Sequence, residues 1–177
     1  MNELQKKDLA KHVFEKAHIT GEFKLRSGVI SNEYFDKYQF ESNPELLVSI
    51  AIQINHLINN IDYDYLAALE MGGIPVATAM AMINKKSMVF VRKEAKDYGT
   101  AKLAEGPEII GKELLIVEDV VTSGGQIILS ANELRERGAI INKAVCVIDR
   151  EAGGKEKLAE NGIELFSLFT MSELKNL

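Results

Sequence analysis

Two adjacent carboxylates, Glu118 and Asp119, separate four apolar residues from a glycine-bearing hydroxyl turn in the stretch LLIVEDVVTSGGQ, residues 114–126. A short apolar run bounded by turn residues predicts a strand of a parallel sheet covered on both faces, here Leu114 to Val117. The loop after it then lies at the strand's carboxyl end, where open α/β sheets take their ligands. Thr122, Ser123, Gly124 and Gly125 supply two hydroxyls and two residues without Cβ, so backbone N–H groups can close on a phosphate at the start of a helix near Gln126. Ionised carboxylates only accept hydrogen bonds, so Glu118 and Asp119 suit sugar hydroxyls or a divalent cation rather than the phosphate. Donors for a phosphate beside acceptors for a sugar suggest a phosphorylated ribose. The plainer alternative is a generic strand, turn and helix with solvated acids. No Gly-Lys-Ser/Thr follows, so the run lacks the signature of a triphosphate-hydrolysing loop.

This stretch resembles the phosphoribosyl pyrophosphate signature of the type I phosphoribosyltransferases. The resemblance implies that Glu118 and Asp119 hold the ribose hydroxyls. It likewise implies that Val120, Val121, Thr122, Ser123, Gly124, Gly125 and Gln126 form the 5-phosphate loop. The segment VRKEAKDYGTAKLAEGPEIIGKE, from Val91, places Arg92, Lys93, Lys96 and Lys102 among small and polar residues without apolar anchors. An unpatterned stretch from Lys93 to Lys112 predicts a mobile loop able to close over an anion, the alternative being a solvated charge run. It is similar to the basic loop of the orotate phosphoribosyltransferases. That similarity implies that Arg92, Lys93 and Lys96 bind pyrophosphate oxygens, with part of the loop reaching a neighbouring subunit's site. Many members carry His where this chain has Tyr98, and Tyr98-Gly99-Thr100 is closer to the transferase domain of eukaryotic UMP synthase.

Three further segments resemble the same family. In GEFKLRSGVISNEYFD, residues 21–36, Arg26 stands where Lys is usual, and Tyr34 and Phe35 keep an aromatic pair suited to stacking on a flat base; as residues alone they are equally core candidates. In ALEMGGIPVA, residues 68–77, Gly72 and Gly73 let backbone N–H groups approach an anion ahead of a helix from Ile74. The family loop implies a non-proline cis peptide near Glu70-Met71. In DREAGGKEKL, residues 149–158, Arg150 follows a strand and its planar fork can bind a carboxylate bidentately, as on a carboxylated pyrimidine. The resemblance makes Thr122 its companion on the base; the plain alternative is a surface ion pair with Asp149.

The elements that must carry these residues follow from hydrophobic period and punctuation. Helices are predicted near 2–17, 44–59, 74–84, 126–138 and 154–161. Strands are predicted at Leu66 to Leu69, Met88 to Val91, Leu114 to Val117, Lys143 to Ile148 and Glu164 to Leu168. Alternation of the two predicts βαβ units and a parallel sheet. The resemblance adds a type I phosphoribosyltransferase fold: a central mostly parallel sheet flanked by helices, a small hood from N-terminal and C-terminal segments, and a long flexible catalytic loop.

The chain has 177 residues, 46% of them hydrophobic, which is enough for one core, so a single domain over 1–177 is expected. Its net charge of -5 argues against a nucleic-acid surface, and no apolar run of membrane-spanning length occurs. The one cysteine, Cys146, cannot form an internal disulfide and reads as a core residue in a reducing compartment, so a cytoplasmic location is expected. His12, His18 and His56 fall on or beside predicted helices, away from the motifs. The resemblance as a whole implies an enzyme that joins orotate to the ribose 5-phosphate of phosphoribosyl pyrophosphate, a homodimer, and Mg2+ held mainly by substrate with help from Glu118 and Asp119. Asp119 and Lys96 are its catalytic candidates. A purine or uracil phosphoribosyltransferase would share residues 114–126 without needing Arg150, and a regulator that binds the donor without chemistry is the alternative from another class.

Overall fold

Short continuous apolar runs alternating with helices build the sheet that the sequence predicts. The computed structural model describes residues 3–24, 28, 30–93 and 103–177. Its elements are α1 (Glu3–Ala17), β1 (His18–Lys24), β2 (Ile30–Phe35), α2 (Tyr38–Glu41), α3 (Pro44–Leu57), β3 (Tyr65–Leu69), α4 (Gly73–Asn84), β4 (Met88–Val91), β5 (Ala104–Glu105), β6 (Glu113–Val121), α5 (Gly125–Glu136), β7 (Ile140–Asp149), α6 (Gly154–Glu160), β8 (Glu164–Thr170) and α7 (Met171–Lys175). Six strands form one sheet in the order β5-β4-β3-β6-β7-β8, and β1 and β2 form a separate two-stranded sheet. All pairings in the larger sheet are parallel except the short β4–β5 pair. The hydrophobic effect sorts the helices by face: α1, α3 and α4 bury apolar residues such as Val13, Ile50 and Met80 with one face of the sheet, while α5 and α6 bury Ile127, Leu134 and Leu158 with the other. Cys146 is fully buried on β7, and burial pushes its thiol well above the usual range.

Asn43 shows how local chemistry sets a boundary. Its side-chain oxygen accepts the N–H groups of Glu45 and Leu46, and Pro44 occupies the first turn of α3.

Four features depart from the sequence reading. First, β6 runs on to Val121 because Val120 and Val121 pair with Ile148 and Asp149 of an equally long β7. Glu118, Asp119, Val120 and Val121 are therefore strand residues, and Val121 is core. Second, β1 and β2 pair as a bulged antiparallel hairpin. None of the residues of β1 or β2 is fully buried, and half-buried and exposed positions follow no regular alternation, so no face prints a period-two signal. Third, part of the expected unpatterned loop is anchored. Ala104 and Glu105 pair with β4, while Leu103 and Ile109 are buried. Single apolar residues spaced six apart leave no periodic trace. Fourth, α7 is a five-residue helix whose Thr170 and Glu173 form a reciprocal capping box. That Thr-x-x-Glu spacing was visible in the sequence. The hood accordingly consists of α1, the β1–β2 hairpin and α7, tied together by a 2.7 Å ion pair between Lys175 on α7 and Glu33 on β2.

Gly73 sets the approach of α4 to the sheet, since a Cβ there would collide with the carbonyl oxygen of Val117 on β6. Gly73→Ala must push the helix outward or strain it, an overpacking cost of about 1–3 kcal/mol that lowers the melting temperature by roughly 2–4 °C per kcal/mol. An unchanged melting curve for this variant would contradict the packing described.

Candidate active site

Strand order places the site. The chain passes from β3 to β4 on one side and then to β6 on the other, so the carboxyl ends of β3 and β6 open a crevice where the order reverses. The loop after β3, Glu70 to Gly72, and the loop after β6, Thr122 to Gly124, face each other across a cavity of about 460 Å³. The Glu70–Met71 peptide is cis, where the sequence resemblance placed it. Gly124 has φ +69°, the left-handed conformation that turns the chain into α5. The first N–H groups of α5 have no partners within the helix, and with the helix dipole they favour an anion.

Below that loop lies a cluster of carboxyl groups. The Asp119 side chain is 0% exposed, and its Oδ1 accepts the Val120 N–H. A Cβ on Gly72 would land on the Asp119 carboxylate, so this glycine exists to admit that side chain. The ammonium of Lys37 pairs with Asp119 Oδ2, an oxygen with no other hydrogen-bond partner among the described residues. Burial would raise Asp119, but hydrogen bonds to Glu118, Glu41 and Lys37 prevail and hold it below the ordinary carboxylate range. Burial, and then the neighbouring Asp119, push Glu41 up to about 8 and Glu118 well above its usual value. Glu41 is thus a neutral, proton-bearing neighbour of an ionised Asp119 at neutral pH. Two like charges are avoided at short range by leaving the proton on the weaker acid.

A second cavity of about 900 Å³ lies under the hood, and Thr122 lines both. Tyr34, Phe35 and Arg150 line it too. Tyr34 is exposed beside Phe23 at 5.5 Å between ring centroids, whereas Phe35 also packs toward Phe14 and Phe40 in the core. Arg150 is held by its backbone, which donates to the Val121 carbonyl at 2.9 Å. No ion pair joins it to Asp149 among the described residues; Asp149 is buried and accepts the Glu151 N–H instead.

The structure therefore gathers most of the sequence-predicted residues into two adjoining cavities. Gly72, Lys93, Glu118, Asp119, Val120, Val121, Thr122, Ser123, Gly124, Gly125 and Gln126 line the smaller one, and Gly73 opens α4 beside it. Arg92 stands apart: it lines neither cavity, its Nε lies 3.9 Å from Glu105, and its N–H donates to Leu103. Arg26, Lys96 and Tyr98 lie outside the described residues, as does Lys102.

Sequence reasoning missed Lys37 and Glu41, which reach Asp119 from α2 across the fold. Nothing local in DKYQFE marks them. It also set all three histidines away from the motifs. His12 and His56 are exposed on α1 and α3, but His18 lines the larger cavity. It stacks on Phe14 at 4.7 Å and lies 2.8 Å from Glu33, which Lys175 and then His18 hold down to about 2. The unpredicted hairpin carries it there.

Residues 39–165 match the phosphoribosyl transferase domain family. The chain is 42% identical over 166 residues to an orotate phosphoribosyltransferase of Nocardioides sp., covering 94% of this chain and 92% of that one. It is 44% identical to the orotate phosphoribosyltransferase of Halobacterium salinarum, with 87% of each chain covered. Among solved structures, that of Mycobacterium tuberculosis orotate phosphoribosyltransferase with inorganic phosphate superimposes with a TM-score of 0.86 at 25% identity, covering 97% of this chain and 99% of that one.

The Glu41 proton gives stability a sign with pH. A carboxyl raised to about 8 in the fold, against about 4.3 unfolded, contributes fully below the unfolded value and loses that contribution as pH rises through 8. The melting temperature of the metal-free protein should fall between pH 5 and pH 8.5, and Glu41→Gln, which cannot ionise, should flatten that fall. Parallel profiles for the two proteins would show that Glu41 is not the group titrating.

Proposed function

The chain belongs to the phosphoribosyltransferase family, among the orotate phosphoribosyltransferases, and from this premise we propose that it transfers the ribose 5-phosphate group of phosphoribosyl pyrophosphate to N1 of orotate. The products are orotidine 5-phosphate and diphosphate, in the biosynthesis of UMP. The observation that carries the reading is the junction at Thr122 of a cavity lined by an anion loop and carboxylates with a cavity lined by Tyr34, Phe35 and Arg150. A nucleotide product spans such a pair: phosphate and ribose in one, base in the other.

In this reading the loop from Thr122 to Gln126 binds the 5-phosphate, and Glu118 with Asp119 accepts hydrogen bonds from the ribose hydroxyls. Tyr34 stacks on the pyrimidine, Phe35 backs it, and Arg150 pairs with its carboxylate. The reaction breaks the bond between C1 and the diphosphate oxygen and forms one from C1 to N1. Positive charge grows on the sugar as negative charge grows on the leaving group, so Asp119 near the sugar and Lys93 and Lys96 near the diphosphate each stabilise the side that develops opposite charge. Arg26, Tyr98, Gly72 and Gly73 complete the donor site. The side chains fit Mg2+: Glu118 and Asp119 are hard oxygen donors, and among the described residues Asp119 Oδ2 has no hydrogen-bond donor besides the Lys37 ammonium. Bound with the donor, Mg2+ would supply charge neutralisation at the diphosphate, with these two residues as its protein partners.

The active unit in this reading is a homodimer of single-domain chains. Arg92 lines neither cavity of its own chain, which suits a residue serving a neighbour's site. Val48 and Ile52, one turn apart on α3, leave apolar surface for a second copy. No described helix is long and apolar enough to cross a membrane. A reducing cytoplasm suits the buried Cys146 thiol.

Diphosphate release should depend on orotate and not on uracil, adenine or hypoxanthine. Arg150→Ala removes two charge-assisted hydrogen bonds and should lower kcat/KM for orotate about 100-fold, leaving donor KM within about twofold. Equal use of uracil and orotate by the unaltered protein would move the reading to another base.

A further inference from the structure

We propose that Lys37 is a donor-binding residue that first acts as the resident counter-cation of Asp119, then releases that carboxylate to the ribose and moves to the donor's phosphate oxygens. The inference rests on the donor site described above.

The starting point is a contradiction between chemistry and access. Asp119 must reach a sugar, yet its side chain is 0% exposed. Its surroundings differ in how readily they can withdraw. The Gly72 backbone is pressed against the carboxylate, and the Val120 N–H belongs to β6 itself. Glu41 is buried on α2 at 6% exposure. Among the described residues, Lys37 alone combines contact with Oδ2 and a side chain that is 32% exposed. It sits at the N-cap of a one-turn helix, and beyond Asp119 its described partner is the Tyr38 ring, 5.3 Å from the ammonium. A compact charge on four methylenes can change partners at little structural cost.

The same cavity supplies the new partner. Lys37 and Lys93 line it together with the loop from Thr122 to Gln126. A donor with a 5-phosphate and a diphosphate brings several negative charges within reach of the ammonium. The exchange keeps charges matched: before binding, Lys37 compensates Asp119; after binding, ribose hydroxyls donate to Asp119 and Lys37 compensates phosphate. Uncompensated, a buried carboxylate is costly, so an empty site needs such an internal cation. Lys37 follows Phe35 by two residues, which also links the base-stacking hairpin to the ribose site.

A binding cycle without orotate separates exchange from a fixed structural pair. Calorimetry with phosphoribosyl pyrophosphate and Mg2+ would compare Asp119→Asn with the Asp119→Asn, Lys37→Met double variant. Exchange requires the second to bind at least about tenfold more weakly, since the lost contact is to phosphate. Equal affinities would overturn exchange, showing that the lysine's role ends at Asp119. A second measurement needs no Asp119 variant: the side-chain ammonium resonance of Lys37, assigned with Lys37→Arg, should move on donor saturation. An unmoved resonance overturns the proposal as well. Failure of the unaltered protein to bind the donor at all would instead overturn the functional reading beneath it.

Discussion

Everything at this site depends on one buried carboxylate. Asp119 lies near the end of the central strand β6, closed in by the Gly72 backbone, the Lys37 ammonium and two further carboxyl groups. Removing an ionised carboxylate from water is expensive unless hydrogen bonds and a counter-charge replace the lost solvation. The fold supplies both from separate places, the backbone of β6 and the residues Lys37 and Glu41 around α2, while Gly72 in the loop after β3 leaves the room. Glu41 keeps its proton so that Asp119 can do without one. A region preorganised for an anion just above, at the start of α5, then sits against a region that concentrates negative charge. In the proposed function, phosphate and ribose meet those two regions in that order.

The glycines near the site follow from this crowding. Gly72 makes room for the Asp119 carboxylate, Gly73 lets α4 close on Val117, and Gly154 lets α6 pass against the carbonyl of Thr122. Each permits a backbone to come closer than any side chain would allow, and each contact draws the crossing point of the sheet together. Specificity is assigned to a different part of the molecule. Tyr34 and Phe35 come from the hairpin, Arg150 from the end of β7, and Lys175 clamps the hairpin through Glu33. In the proposed function the base is therefore met jointly by the hood hairpin and the end of β7, while the donor is met by the loops after β3 and β6.

Much of this was legible in residue order because the relevant contacts are local. Glu118 through Gln126 form one strand-turn-helix unit, and Gly72 and Arg150 each follow a strand with a clear apolar run. Asn43-Pro44 showed the start of α3 through its cap. Legibility ended where spatial neighbours are far apart in sequence. Lys37 and Glu41 meet Asp119 across about eighty residues, and neither has a neighbour in the chain that marks it. His18 gained its position from a hairpin with no buried face, whose pattern therefore matched neither helix nor strand. The end of β6 was placed too early because charged residues within a strand look like the start of a loop, and only the length of β7 decides otherwise.

The most direct measurement is steady-state kinetics of Asp119→Asn with orotate and phosphoribosyl pyrophosphate, alongside its far-ultraviolet circular dichroism. A carboxylate that stabilises charge on the sugar contributes to the transition state, so kcat/KM should fall by about 100-fold or more while the folded spectrum is kept. Turnover close to that of the unaltered enzyme would mean that the buried carboxylate is only a structural anchor, and the site would have to be rebuilt around Glu118.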